Sequence, residues 1–372
     1  MTAGQAKSIR AGTGPADQLR ERWLAPCGLA VLLVFVAVFP LLFPNPTATN
    51  FGVVTLIFVA VAAAWNIFSG FSGYLSLGHA VFYGTGAYFL VVAARDWNLT
   101  GAAVFWLVPL GGVAAAIIAV PLGLVALRVR RHTFVVITIA FFFIAQLSAS
   151  NLGITGGSSG LLVPVPTSWN PATYNNPFYY LAMLLAAATV ALSWLVRRSR
   201  FGLQLRAIRD DEDRAAGLGV RAMPVKLTAL VVSGFITGMA GALWVYFIGE
   251  AFPQFVFDPL FDLAVVLMAF FGGLGTVAGP VLGALVLEPT QLYLNLQQAN
   301  GYESEILFGV LFLAVILFLP RGVLPTAAEY VTAARARLRR GGWPGRTGAS
   351  QAQAPPPAAD NPAGTPAAGS AP

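Results

Sequence analysis

The chain has 372 residues, 57% of them hydrophobic and 10% charged, with a formal net charge of +7. An ordinary soluble domain carries about 25% charged residues, so a set of soluble domains is excluded. A single cysteine, Cys27, forbids an internal disulfide and a cysteine metal cluster, and His79 and His132 alone leave little for histidine-based catalysis.

Apolar runs of about 17–25 residues, the length a helix needs to cross a bilayer, recur along the chain. They predict an all-α polytopic membrane protein; a membrane β-barrel needs alternating segments instead. Ten spans are read, at roughly 24–43, 51–69, 79–94, 101–127, 132–150, 177–196, 225–249, 259–271, 277–297 and 304–319. Residues 1–23 form a basic N-terminal segment, 24–325 the membrane domain and 326–372 a basic, Pro/Ala-rich tail expected to be disordered. The first span is too long for a signal-peptide core and is read as retained.

The second and third spans are joined by a glycine-rich break. Trp65–Tyr88 contains Gly70, Gly73, Gly78, Gly84 and Gly86, with Ser69, Ser72, Ser76 and His79 among them. Unwound backbone at membrane depth is tolerated where it is buried in protein or lines a wet cavity. Ser69, Gly73, Ser76, Gly78 and His79 are therefore candidate pathway residues; tight helix packing accounts for the same glycines equally well. His79 reads either as a satisfied structural histidine or as a proton relay. Asn66 and Gln146 are polar groups in apolar spans and are expected to bond across helices.

After the fifth span a long uncharged connection, 151–176, carries TGGSSG at Thr155–Gly160 and is expected to form an external cap. After the sixth comes the one strongly charged internal stretch. Residues 197–226 hold eight of the 22 basic and four of the 15 acidic residues. Within this island a short helix is predicted, with Asp210 as N-cap and Asp211, Glu212 and Asp213 in a first turn that complements the helix dipole. Ala215, Ala216 and Leu218 supply its apolar face, and Gly219 suits the left-handed position that ends helices. A helix of this length is marginal alone, so it needs a partner, and four consecutive acids disfavour an anionic membrane surface.

A second glycine break, Phe270–Pro289, places Gly272 and Gly273 in a turn before Gly279-Pro280 opens the ninth span. Glu288 then falls inside that span, where a charge is costly enough that it must face protein or water. Gln146, Gly272, Gly273 and Glu288 complete the pathway candidates. The eighth span is short enough to be broken or re-entrant.

On this reading 21 of the 22 Lys/Arg lie on one side of the membrane and Arg95 alone on the other. Basic residues mark the cytoplasmic side, which then holds both termini and the island. The net charge is a topology signal, and no nucleic acid partner is expected. Five spans per half imply inverted halves of the kind common in transporters.

Three functions compete on these residues: an ATP-driven importer subunit, an ion-driven secondary transporter, and an intramembrane enzyme. No phosphate-binding GxxxxGK[ST] loop is present, so ATP would be hydrolysed by another chain. An ion-driven transporter has Glu288 as its one good midplane group, and an enzyme lacks converging catalytic groups.

Several of these segments together resemble the M-type permease subunits of bacterial ABC importers for branched-chain amino acids. They are GYLSLGHAVFYGTGAY (Gly73–Tyr88), TGGSSG, AIRDDEDRAAGLGV (Ala207–Val220), FFGGLGTVAGPVLGA (Phe270–Ala284) and FLPRGV (Phe318–Val323). The resemblance runs in order over roughly 25–325. It departs at Tyr74, where that family has glutamine, and at Glu288-Pro289, a pair reversed from the usual order. It implies a ten-helix type II importer permease in a bacterial cytoplasmic membrane, without cofactor or catalysis of its own. It implies a pathway shared with a second, homologous permease subunit, two cytoplasmic ATPases, and an extracytoplasmic binding protein that delivers substrate. The island helix, Asp210–Leu218, would be the coupling element on the ATPase. Amino acids, urea and amides all remain open as substrates.

Overall fold

The computed structural model describes residues 38–40, 45–163, 169, 173–297 and scattered positions from 306 to 326. The first and tenth spans and the two terminal segments lie almost wholly outside these residues. The described part is helical, with one two-stranded sheet.

Helix α1 (Pro46–Trp65) starts where Asn45 Oδ1 accepts from the Thr47 amide at 3.0 Å, with proline in its first turn. It continues as a π-helical turn, Asn66–Gly70. The chain then reverses at Gly73, whose φ of +74° favours glycine, and runs back along the end of α1. Trp65 Nε1 donates to Ser76 O at 2.9 Å, and the Ser76 amide donates to Ser69 Oγ at 3.3 Å. Helix α2 (His79–Asp96) therefore begins at the depth of Ala64, about 9 Å back from Gly70 at 1.5 Å per residue.

Helix α3 (Leu107–Ala126) follows a 3-10 turn, Gly101–Trp106, and α4 (Arg131–Asn151) follows a short basic turn. The long helix α5 (Asn175–Arg198) leads into the island, and α8 (Ala222–Ile248) leaves it. A bend carrying the short helix α9 (Pro253–Val256) precedes α10 (Pro259–Gly272), and α11 (Ala278–Gln297) ends the well-described chain.

Six helical segments are long and apolar enough to span a membrane among the described residues: 46–70, 101–126, 131–151, 175–198, 222–248 and 253–272. Helices α2 and α11 complete the bundle. At 14 residues α10 is about 21 Å long, short of the roughly 30 Å of a bilayer core, and it reaches 20 residues only with the bend that precedes it.

Glycines set the packing distances. A Cβ on Gly86 of α2 would sit 2.0 Å from Gly238 O of α8, and one on Gly241 would sit 2.0 Å from Tyr83 O. Close backbone approach of this kind draws helices together in a membrane, where the lipid gives no hydrophobic drive. At one end of the bundle the TGGSSG stretch makes two 3-10 turns, Gly153–Thr155 and Gly157–Ser159. Strand β1 (Leu161–Leu162) then pairs antiparallel with β2 (Glu250–Ala251).

Candidate functional site

The island folds as two helices at the end of the bundle opposite the β1–β2 ribbon. The first, α6 (Arg200–Asp210), was not expected; its Gly202, Leu205 and Ile208 recur every three residues and are buried. The second, α7, covers Glu212–Gly217 only. The expected N-cap moves by one residue. Asp211 is extended and its Oδ1 accepts the Arg214 amide at 3.0 Å, while Asp210 is the last residue of α6. The reason is that α6 runs on through Asp210, so the first residue free to leave helical geometry is Asp211. Gly219 adopts φ +88°, the left-handed end expected of it. Ala215 is buried, whereas Asp213, Arg214, Ala216 and Leu218 point outward, Leu218 with 86% of its surface exposed. The apolar face is thus split between bundle and solvent.

The underside of this pair is bolted to the bundle. Arg131, at the start of α4, donates to the carbonyls of Ile208 and Arg209 at 2.7 Å each. Cations are favoured against the C-terminal carbonyls of a helix. Arg209 Nη1 donates to Gly70 O at 2.8 Å. Glu212 takes Lys226 Nζ at 2.6 Å and also accepts from the Tyr74 hydroxyl. Sequence reasoning missed Tyr74, Arg131, Arg209 and Lys226 in these roles. Lys226 had a signal in the sequence, as a lone cation near the start of an otherwise apolar helix; in the structure its side chain is only 3% exposed.

The two glycine breaks meet. Asn66 Nδ2 donates to Thr276 O at 2.8 Å and its Oδ1 accepts the Gly275 amide at 2.8 Å. Gln146 also bonds across elements, to Phe257 O at 2.8 Å. Gly73 lies against Arg209, Gly78 against Thr138, and Gly272 against the backbone of Gly279. Gly273 closes α10 at φ +125°. Ser69, Ser76 and His79 are buried.

His79 Nε2 lies 2.8 Å from Ser233 Oγ, and Nδ1 lies 3.0 Å from Ser76 Oγ. Ser233 gives its own proton to Ala64 O at 2.7 Å, so a ring with its proton on Nε2, accepting from Ser76 at Nδ1, satisfies all three groups. Glu288 is buried too, and its Oε2 has no hydrogen-bond partner among the described residues. Asp262 of α10, absent from the expected residues, accepts the Ala80 amide. As a single carboxyl in an apolar span it carried the same signal that singled out Glu288.

An apolar recess of about 770 Å³ opens between α2, α3 and α4. Tyr88, Ile117, Phe141, Ile144 and Phe257 line it, with Thr85, Ser148, Thr155 and Asp96 as polar points. None of the nine pathway candidates does; Ser76 and Gly78 border only a separate pocket of about 20 Å³. Among the described residues no group of His, Cys, Asp or Glu is placed to hold a metal ion.

A helical bundle with two interrupted helices, a buried polar seam at the interruptions and a charged helix pair at one end defines an integral membrane transport protein. The model of the family described as branched-chain amino acid transport system / permease component matches residues 47–318, and the chain belongs to that family. It is a membrane permease of an ABC importer, a subunit with no catalytic activity of its own. The chain is 28% identical over 328 residues to the high-affinity branched-chain amino acid transport system permease protein LivM of Escherichia coli (strain K12), covering 80% of this chain and 74% of that one. It is 26% identical over 284 residues to LivH of Salmonella typhimurium, covering 72% and 91%. A more distant match, 28% over 173 residues, is the autoinducer 2 import system permease protein LsrC of Yersinia pseudotuberculosis, covering 44% and 48%. No solved structure matches.

Proposed function

We propose that α6 and α7 form the surface through which a separate ATPase drives this permease. The observation that carries the reading is Leu218, a large apolar side chain 86% exposed at the end of a six-residue helix. A single exposed leucine is ordinary on a surface. Here it stands on a capped turn anchored by Arg131, Arg209 and Lys226, and that rigid mounting supports a docking role. The basic end is cytoplasmic in this reading, with both termini on the same side, in a bacterial inner membrane.

A second, homologous permease completes the pathway, each of the two is driven by its own ATPase, and an extracytoplasmic binding protein delivers substrate to the opposite end. Much of α4 is unburied, with Val136 and Leu147 more than 60% exposed, which suits coverage by that second subunit. The apolar lining of the recess and the names of the relatives support amino acids with apolar side chains as substrates.

Two experiments test this. Leu218→Asp combined with Asp213→Lys should abolish co-purification with the ATPase while leaving the permease monodisperse in detergent; unchanged association would sink the docking role. In proteoliposomes containing the whole complex, labelled leucine, isoleucine and valine should enter with ATP. Urea or amide uptake in their place would redirect the substrate class, and uptake driven by an ion gradient without ATP would overturn the mechanism.

A further inference from the structure

Tyr74 occupies an unusual place. It lies in the return segment between α1 and α2, is 2% exposed, and touches three other elements. Its hydroxyl donates to Glu212 on α7 and accepts from Lys226 Nζ, on α8, at 3.1 Å. Lys226 Nζ also stands 4.2 Å from the centre of the Tyr74 ring, and Phe134 of α4 packs edge-on against that ring at 5.5 Å. Burial, and then the bond to Glu212, push the Tyr74 phenol above its ordinary range, so it stays a proton donor.

We infer that Tyr74 is a positioning residue for energy coupling: its hydroxyl ties the α7 docking helix, through Glu212 and Lys226, to the glycine break from which α2 begins. The claim rests on the docking role proposed for α7 and deepens it.

Three features favour a transmitting role over simple packing. First, the bond joins an element of the outward-facing helix pair to a segment that has no helical ladder of its own. Residues 73–78 are held by side-chain bonds from Trp65 and Ser69 and by the Gly73 turn. Second, the tie has few internal torsions. A phenol has two side-chain torsions, and a charge-assisted bond to a carboxylate is among the stronger polar contacts. Third, the segment it holds leads within four residues to Gly78 and the first turn of α2. There the Ala80 amide is fastened to Asp262 at the start of α10. A shift of α7 thus reaches the junction of both interrupted helices through one hydroxyl. A parallel strut, Arg209 to Gly70 O, bears on the other side of the same break.

The test uses the complete transporter, permeases with ATPases and binding protein, in proteoliposomes, with ATP hydrolysis and uptake measured on the same sample. Tyr74→Phe removes the hydroxyl and keeps the ring. Assembly and ATP hydrolysis should stay at wild-type level while uptake per ATP falls about tenfold, the scale of one lost hydrogen bond to a charged group. Glu212→Ala removes the acceptor of the hydroxyl together with the partner of Lys226 and should lose at least as much coupling, and adding Tyr74→Phe to it should cost no more, because the hydroxyl then has no acceptor left to lose. Lys226→Arg, which keeps a cation in place, should retain most of the coupling.

Unchanged uptake per ATP in Tyr74→Phe overturns the inference. So does a parallel fall of uptake, hydrolysis and assembled complex, the mark of a purely structural residue. Multiplying losses in the double variant would likewise overturn it. If Leu218→Asp combined with Asp213→Lys leaves association with the ATPase unchanged, the docking role itself fails, and that measurement separates the two failures.

Discussion

The amide of Ala80 donates to the carboxyl group of Asp262, 3.2 Å from one oxygen and 3.4 Å from the other, across 182 residues of sequence. Ala80 lies in the first turn of α2 and Asp262 in the first turn of α10. The start of one helix thus supplies the acceptor for the start of the other. First-turn amides have no partner within their own helix, and no water is at hand inside a bundle to take their place. Asp262→Ala should therefore lower stability by about 1–3 kcal/mol, the cost of a buried donor left unpaired. Asp262→Asn keeps an acceptor and should lose less. Thermal unfolding of the purified protein in detergent measures both.

Asn66 plays the matching part for the two glycine breaks. Asn66→Leu fills similar volume but leaves the Gly275 amide and Thr276 carbonyl without their present partner. The expected loss is about 2–4 kcal/mol, two unpaired buried groups, again by thermal unfolding. Gly70→Ala should be at least as harmful, since its Cβ would fall 1.8 Å from Asn66 Oδ1.

The glycines separate into two groups by what surrounds them. Gly86→Ala drives a methyl group into the Gly238 carbonyl and must part α2 from α8; folded yield and melting temperature should both fall. Gly217→Ala, in α7, meets open space and should stabilise that helix by up to about 1 kcal/mol through helix propensity. Hydrogen exchange across 211–219 reads the second effect directly.

Glu212 makes the island sensitive to acid. Burial pushes its carboxyl up, but hydrogen bonds from Lys226 and Tyr74, with the charges of Lys226 and Arg131, outweigh this and hold it below the ordinary 4.5. A group lowered in the folded state contributes stability that is complete above its unfolded value and disappears as pH falls through the folded value. Protection of 207–220 against limited proteolysis should be flat from neutral pH down to about 5 and weaken below about 4. The Glu212→Gln variant should be weaker at neutral pH and show no such step. A step in that variant equal to wild type would move the effect to another carboxyl.

Much of this was legible in local composition. Runs such as 51–69, 132–150 and 225–249 sit within a few residues of α1 with its π-turn, α4 and α8, because hydropathy over about 20 residues is a property of the run itself. The left-handed end at Gly219 was readable too, since a positive φ asks for glycine. The island helix was legible as a helix but not in its bounds, since capping strength is alike at Asp210 and Asp211. Helix α6, with its apolar residues among three arginines, was hidden in the charge.

The position of the glycine-rich segments, the lone cysteine, the charge asymmetry and the family motifs are all written in the chain, because each depends on residues next to one another. The pairings are not. Tyr74 with Glu212, Asn66 with Gly275, Ala80 with Asp262 and His79 with Ser233 each join residues more than 130 positions apart. Which serine faces a histidine, or which carboxyl caps a helix, follows from how glycine-lined helices stack and at what depth they begin. Packing buried Ser69, Ser76 and His79 in the bundle and left the open recess mostly to apolar side chains that carry no local mark.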